Sequence, residues 1–287
     1  MSTFIHTTAA ALMRASPALV AAAVALHLAG LVMMGERWRV LLSGAGARVA
    51  LTRATLVNLA GIFVRNVTPT SGVGGDAVRI GLFRSAGVPV GDATVALLVG
   101  RLLEAPAIAA LVLVGLPAIG AAAARSRAAL AIVLAIAGAV VIVALARRPT
   151  GSLAAWRARL GVRPPPARIV AIAAVWATLA WLETIVRLMV VSLALGVQLT
   201  LAQGAALTVF AIVGGLVPTV GSLGAIEGSL MTGLLLFGVP SATATAITIV
   251  ERAITYALST ALGGMALAAL GGWDTVRFLR RKARAAE

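Results

Sequence analysis

The sequence predicts an all-α, polytopic membrane protein with an inverted-topology repeat, in which each half contains a helical hairpin broken by proline and glycine. Two observations lead to this class. Of the 287 residues, 61% are hydrophobic and 11% are charged, which is more apolar surface than a soluble domain can bury. The apolar sequence is also interrupted twice by the same motif, P-T-x-G-x-x-G, at Pro69–Gly75 and Pro218–Gly224. Matching breaks of this kind are typical of transporters.

Five apolar stretches are long enough, at ~1.5 Å per residue, to cross a ~30 Å hydrocarbon core as helices. Two further regions, 50–90 and 200–240, each hold two short apolar segments around a break. We predict that each region is a re-entrant helical hairpin, and a pair of short ordinary spans is the alternative. The five predicted spans are residues 17–34, 92–116, 128–146, 168–195 and 243–271.

The basic residues predict the orientation of these spans. Seven arginines lie between residues 35 and 91, six between 147 and 168, and five Lys or Arg follow Trp273. The opposite side receives Arg14, Arg125 and Arg127. Because cytoplasmic loops carry the excess of basic residues, we expect the N-terminus outside and the C-terminus inside a bacterial inner membrane. The first hairpin then opens inside, and the second, which lacks Lys and Arg, opens outside.

A second pair of segments supports the repeat. Gly87–Arg101 and Gly238–Arg252 share seven of fifteen residues at a constant offset of 151, and the acids Asp76 and Glu227 have the same offset. We therefore predict a single transmembrane domain over residues 1–287. Its parts are repeat 1 at about 17–116, a linking span at 128–146 and repeat 2 at about 168–271.

Short motifs follow one another along the chain in a recognisable order: Arg37-Trp38, Asn66-x-x-Pro69, Gly74-Gly75-Asp76-x-x-Arg79, Arg101 within a span, and Pro218-x-x-Gly221-x-x-Gly224-x-x-Glu227. In this order the chain, over about residues 20–270, resembles the flippase-like family of the transmembrane region of lysylphosphatidylglycerol synthase. The resemblance implies an inner-membrane protein that moves a polar lipid between leaflets. We expect no aminoacyl-transferase domain after Glu287, and we therefore do not expect the synthase activity.

The two breaks are candidates for a headgroup site. A glycine-rich turn inside the membrane leaves backbone N–H groups that lipid cannot satisfy. The helix that restarts after each break presents its N-terminus there, and helix N-termini bind phosphate through their N–H groups and dipole. Inverted symmetry would bring the two N-termini to one central phosphate site. The alternative is that the glycines only allow close helix packing.

Charged residues near the breaks and within the spans complete the candidate site. Asp76 and Glu227 either cap the restarted helices or pair with a cationic headgroup or a coupling proton. Charges within the spans cost at least ~2.5 kcal/mol each on insertion scales, so they should be paired inside the protein. Helical spacing places Arg101 with Glu104, and Glu183 with Arg187, on one helix face each. The charges within the spans form either a structural salt-bridge network or a polar path for headgroups. Asn66 is a weaker candidate, which a helix C-cap explains almost as well. The candidate substrate-binding residues are Asn66, Pro69, Gly72, Gly74, Gly75, Asp76, Arg79, Arg101, Glu104, Glu183, Arg187, Pro218, Gly221, Gly224, Glu227, Glu251 and Arg252.

Several function classes are disfavoured by composition. Cysteine is absent and the two histidines are isolated, so we expect no catalytic residues, metal or cofactor. The net charge of +15 fits cytoplasmic loops and anionic lipids better than nucleic acid. The sequence thus predicts a lipid translocase, driven passively or by an ion gradient, with lipids as partners and a biosynthetic enzyme as a further candidate partner. The alternatives are an ion-coupled solute carrier, a membrane-embedded enzyme or a scaffold.

The orientation gives a direct test. Reporter fusions at Ala285 and near Ser16 should score on opposite sides of the membrane, because an odd number of full spans separates them. Scoring both on one side would contradict the five-span topology and, with it, the inverted repeat.

Overall fold

A computed structural model describes residues 2–69, 73–123, 165–217 and 219–271, and every regular element in these ranges is helical. The all-α class is therefore confirmed for this part of the chain. The predicted span at 128–146 and the tail after Trp273 lie outside the described residues. The elements are α1 (Ser2–Met13), α2 (Pro17–Ser43), α3 (Leu51–Val67), α4 (Val73–Ser85), α5 (Val90–Ala123), α6 (Ala167–Ala194), α7 (Leu201–Gly214), a 3-10 turn (Val220–Ser222), α8 (Ala225–Leu236), α9 (Ser241–Arg252), a π segment (Ala253–Leu258) and α10 (Ser259–Ala269).

Within the described residues, three helices are long and apolar enough to cross a membrane: α2, α5 and α6. They coincide with three of the predicted spans. The predicted span at 243–271 is built from α9, the π segment and α10. Its backbone stays helical across both junctions, with φ −59° and ψ −42° at Ala253 and φ −62° and ψ −46° at Leu258.

Helix α1 was not expected from the apolar pattern, because the first long apolar run begins only at residue 17. It packs against α9. After it, the backbone N–H of Ser16 donates to the carbonyl of Ala194, at 2.9 Å, and this bond anchors the start of α2 beside the end of α6. The run of helix-forming residues at 9–13, Ala-Ala-Ala-Leu-Met, is the signal that could have revealed α1.

Each predicted hairpin is a pair of packed short helices. α3 has 17 residues and α4 has 13, while α7 has 14 and α8 has 12. All four fall short of the ~20 residues that a perpendicular span needs. The first pair crosses where Gly75 meets the Gly61 carbonyl, and the second where Gly214 meets the Ala225 carbonyl. Each crossing therefore relies on small residues that let two backbones come close together.

The order of elements in α2 to α5 recurs in α6 to α9. In each series a long helix is followed by two short helices and then by another helix. The turn before the last helix is the same in both: Gly87 has φ 84° and Gly238 has φ 83°, a left-handed conformation suited to glycine. In each turn the next residue bonds back across the helix end, Val88 to Phe83 and Val239 to Leu234, both at 3.0 Å.

The chain divides into two compact units, which we name by their hairpins. The α3–α4 unit contains the described residues of Ala29–Ala105, Gly151–Ala180 and Tyr256–Glu287. The α7–α8 unit contains those of Met1–Leu28, Pro106–Thr150 and Trp181–Thr255.

Each unit has its own apolar core. In the α3–α4 unit the rings of Trp38 and Phe83 lie 5.3 Å apart among buried aliphatic side chains, and α10 packs on α3. In the α7–α8 unit, Leu207, Leu234 and Ile247 are completely buried. These cores fix the helices that carry the charged side chains.

The close crossing of α3 and α4 predicts that a side chain at position 75 destabilises the protein. In Gly75→Ala the new Cβ would lie 3.2 Å from the Cβ of Arg65 and closer still to the Gly61 carbonyl oxygen. We expect a loss of about 1–3 kcal/mol of stability, as for other overpacked sites, visible as a lower thermal midpoint in detergent or nanodiscs.

A matched control lies in α8, where a Cβ at Gly228 meets nothing within 4 Å. Gly228→Ala should be neutral or gain up to about 1 kcal/mol, since alanine is the better helix former. Equal midpoints for the two variants would contradict close packing at Gly75.

Candidate functional site

Five charged residues of the α3–α4 unit form one alternating chain, which we call the arginine-rich cluster. Its order is Arg37, Glu104, Arg101, Asp76 and Arg79. Arg37 donates to Glu104 at 3.1 Å, and Arg101 bonds both Glu104, at 3.4 Å, and Asp76, at 2.9 Å. Arg79 closes the chain by donating to the other Asp76 oxygen at 2.6 Å. With three arginines and two acids, the cluster carries one excess positive charge.

Three helices hold this cluster in place. Arg37 comes from α2, Asp76 and Arg79 from the start of α4, and Arg101 and Glu104 from the face of α5. Arg79 is 5% exposed and its side chain lies against Gly61, where a Cβ would come within 2.5 Å of its Nε. That Nε has no hydrogen-bond partner among the residues that the structure describes. The side chain of Arg101, in contrast, is 39% exposed.

The α7–α8 unit holds a second charged group, the Glu183–Arg187–Glu251 triad. Arg187 donates through Nε to Glu183, four residues earlier on α6, at 2.9 Å, and through a terminal nitrogen to Glu251 of α9. The three side chains are between 4% and 8% exposed. With two acids and one arginine, the triad has one excess negative charge, the opposite of the arginine-rich cluster.

A third group, the Glu227–Arg252 pair, organises the second break. Arg252 on α9 donates to Glu227 at 2.7 Å and to the Gly221 carbonyl at 3.3 Å. Glu227 reaches back from the first turn of α8 and accepts the Gly224 N–H at 2.7 Å. The capping role considered for Glu227 is therefore present in the structure. Gly224 has φ 82°, and this left-handed turn directs the chain into α8.

The ion pairs Asp76–Arg101 and Glu227–Arg252 are equivalent in sequence. Each joins the first turn of the second hairpin helix to the following helix, and each spans 25 residues. The offset of 151 that relates the two acids also relates the two arginines. Helical spacing in the sequence predicted the local pairs within α5 and α6 but not these longer ones. The shared offset is the signal that could have found them.

Other candidate residues have different surroundings. Asn66 is 5% exposed, and its side-chain amide donates to the Thr260 hydroxyl at 2.9 Å. The backbone carbonyl of Asn66 accepts from the Tyr256 hydroxyl at 3.2 Å. The alternative considered for Asn66, a C-cap of α3, is not what the structure has, because the C-cap is Thr68. Pro69 is exposed, and Gly74 is half-buried in the first turn of α4. Gly72 and Pro218 lie outside the described residues.

Arg37 was not among the candidate site residues, although it belongs to the Arg37-Trp38 motif. Because Arg37 lies near the end of an apolar helix, it was counted among the basic residues that mark the cytoplasmic side of the membrane. The structure instead buries it, at 7% exposure, against Glu104. The two breaks belong to different units. One headgroup site shared by both breaks therefore stays a prediction.

A family model described as the lysylphosphatidylglycerol synthase TM region matches residues 3–263, which is most of the chain. It includes all five residues of the arginine-rich cluster, the triad and the Glu227–Arg252 pair. No curated protein matches the chain.

Because the triad is buried, we predict that the protein needs Arg187 for its stability. Arg187→Met leaves two buried carboxylates without their partner, and breaking such pairs costs about 3–5 kcal/mol. We expect a large fall in thermal midpoint or loss of folded protein. The matched control is Arg39→Met, since Arg39 pairs with Glu36 on the same helix but its side chain is 46% exposed, and such pairs contribute about 1 kcal/mol or less.

A rescue variant shows whether Arg187→Met is destabilised by the two stranded carboxylates or by lost side-chain packing. Replacing Glu183 and Glu251 by Gln together with Arg187→Met removes the stranded charges and should recover most of the lost stability. If Arg187→Met were no less stable than Arg39→Met, the triad would not be the buried network described above.

Proposed function

Because the chain belongs to the family of the lysylphosphatidylglycerol synthase transmembrane region, it is a membrane protein of lipid-related function, and we propose that it moves a phosphate-bearing lipid between leaflets. We place it in a bacterial inner membrane with the N-terminus outside and the C-terminus inside. In this proposal it is a translocase and not an enzyme. The lipid's acyl chains stay in the bilayer while its headgroup follows the protein's charged residues.

The observation that carries the proposal is the excess positive charge of the arginine-rich cluster. Two acids already balance two of its three arginines, so one positive charge is left for an anion. Arg79 adds a buried Nε that lacks a partner among the described residues, and Arg101 adds a partly exposed guanidinium. Arginine is the side chain best suited to phosphate, because its planar donors match two oxygens at once.

We place the phosphate at this cluster rather than at both breaks equally. At the second break, Glu227 already accepts the N–H of Gly224 at the start of α8 and adds a negative charge there. Arg252 balances Glu227, so this pair has no excess positive charge for a phosphate, whereas at the first break Asp76 lies between two arginines. The Glu227–Arg252 pair therefore has a different role in the proposal, which is to hold the second break in shape through the Gly221 carbonyl.

The proposal also covers the topology. The repeated order of elements and the equivalent pairs Asp76–Arg101 and Glu227–Arg252 support two homologous halves. We propose that the halves are inverted and that the four short hairpin helices are re-entrant, because each has too few residues to cross the hydrocarbon core. A biosynthetic enzyme that makes or uses the lipid is the partner we propose.

The test is lipid translocation in reconstituted vesicles. A phospholipid with a fluorescent acyl chain is placed in both leaflets, and an impermeant quencher reports how fast the inner pool becomes accessible. Arg101→Ala should slow translocation roughly ten- to hundredfold, which corresponds to the loss of a charge-assisted contact of about 1.5–3 kcal/mol. Arg101→Lys should retain part of the rate, because it keeps the charge but not the planar donors.

The control is Arg39→Ala, which removes an arginine of the same helical i,i+3 pairing but outside the cluster. It should transport at the wild-type rate. Thermal midpoints measured in parallel show whether a slow variant is still folded. Unchanged translocation by a folded Arg101→Ala protein would contradict the proposal, as would equal rates for a phospholipid and an uncharged glycolipid.

A further inference from the structure

A groove runs along the last part of α2 in the α3–α4 unit. Two adjacent cavities of about 400 and 410 Å³ form it, and both are lined by Arg39, Val49 and Ala50. Volumes of ~300–1,000 Å³ are typical of ligand sites. From Val32 to Ser43 the groove follows α2 for about 16 Å, at ~1.5 Å per residue, which is about half of a ~30 Å hydrocarbon core. The groove is therefore about as long as one leaflet is deep.

The end of the groove that lies farther from the end of α2 is apolar. Val32 and Met33 of α2, Leu51 of α3 and Trp176 of α6 line it. Val32 and Leu51 are 44% and 37% exposed, and Trp176 packs against the core of the unit while part of its ring stays accessible. Because α2 is long and apolar enough to span a membrane, this end lies at the depth of lipid acyl chains.

The other end of the groove is polar and lies where α2 leaves the membrane. Ser43 is the last residue of α2, and Arg48 lies in the turn that follows; both line the second cavity and both are exposed. The Ser43 hydroxyl donates to the Val40 carbonyl at 2.7 Å. Arg48 therefore supplies the donors, and its planar guanidinium matches two phosphate oxygens at once. Basic pockets between transmembrane helices are known to bind lipid headgroups.

Arg39 separates the two ends but does not take the phosphate. Its Nε donates to Glu36 at 2.6 Å, and a terminal nitrogen bonds the other oxygen of the same carboxylate. We therefore assign no lipid contact to Arg39. The groove is also distinct from the arginine-rich cluster, although Arg37 of that cluster lies on the same helix. Two residues of an α-helix are turned by about 200° relative to each other, so Arg37 and Arg39 face different sides of α2.

The repeat shows that the turn after α2 does not itself need polar side chains. The turn after α6 has the same form, with a left-handed glycine at φ 79° where the turn after α2 has one at φ 85°. At this offset of 150 residues, Ser43 corresponds to Leu193 and Arg48 to Gln198. An arginine is thus specific to the first turn, where a groove leads from it into the membrane.

We propose that this groove holds one anionic phospholipid as a resident ligand. Its phosphate binds Arg48 at the membrane surface, and one acyl chain lies against Val32, Met33 and Trp176. The polarity of the groove changes along α2 in the same order as the polarity of a phospholipid along the membrane normal, and this match carries the proposal. The resident lipid joins α2, the following turn and α6, and its binding does not depend on the proposed translocation.

Fluorescence quenching of the purified protein in detergent tests the site. Phosphatidylglycerol with a brominated acyl chain is titrated in, and the part of the quenching that Trp176→Phe removes is the signal of the groove, because bromine quenches an indole only at close range. The signal should saturate. Arg48→Ala should weaken the apparent affinity roughly tenfold, the loss expected for a hydrogen bond to a charged group. Arg48→Lys should recover part of it, since it keeps the charge without the planar donors.

The control for general attraction to a basic surface is Arg53→Ala. Arg53 is an exposed arginine at the start of α3, five residues from Arg48, and it lines neither cavity. Arg53→Ala should bind the lipid like wild type. Equal affinities for Arg48→Ala and Arg53→Ala would overturn the proposal and leave Arg48 as a marker of the membrane side alone.

Two further ligands separate a phospholipid from its parts. A brominated diacylglycerol with the same chains lacks the phosphate and should bind at least tenfold more weakly; equal binding would make the groove a surface that any lipid covers. Glycerol 3-phosphate lacks the chains and should not displace the lipid. Displacement at similar concentrations would assign the groove to a free phosphate compound instead.

A steric variant tests the place of the lipid without changing charge. Ala50 is exposed and lines both cavities, so the ring of Ala50→Phe would fill their junction and should abolish the saturable signal. Thr52→Phe adds the same ring at an exposed position outside both cavities and should bind like wild type. Thermal midpoints show that each variant is folded. Wild-type affinity in a folded Ala50→Phe protein would show that the lipid does not lie in this groove.

Discussion

Burial of charge is the constraint on which the arrangement of this protein depends. An ionised side chain removed from water is stable only when opposite charges surround it, and the chain meets this requirement by alternating arginines with carboxylates. In the α3–α4 unit the alternation runs through five residues from three helices, and Arg101 bonds an acid on either side. These contacts specify which faces of α2, α4 and α5 meet, which apolar side chains alone specify poorly in a membrane.

Small residues make the charged contacts possible. Arg79 reaches Asp76 while its aliphatic part rests on Gly61, and a side chain at position 61 would occupy the same space. Gly75, on the facing helix, touches the backbone of the same glycine. Gly61 and Gly75 therefore have a packing role, which is one of the two roles considered from the sequence for the glycines of the breaks. In the second break Gly224 has a different role, since it turns the chain where a Cβ would be strained.

Much of the fold follows from the sequence because long apolar runs and short broken ones differ in length, and three described helices match predicted spans. Local ion pairs such as Glu183–Arg187 were also predictable from helical spacing. The contacts of Arg37 with Glu104 and of Arg187 with Glu251 were not, since they join residues 67 and 64 positions apart on different helices. Helical periodicity says which face a residue occupies, but it does not say which helix lies opposite.

The π segment Ala253–Leu258 gives the last long helical stretch an unusual sensitivity to sequence length. A π turn accommodates one more residue than an α turn, and each residue of an α-helix turns the chain by about 100°. Glu251 lies before the segment, whereas Tyr256 and Thr260, which bond Asn66, lie within and after it. Deleting one residue here would leave a regular helix whose two ends no longer present these side chains in the same alignment. Homologues should therefore conserve the length of this stretch more strictly than its composition.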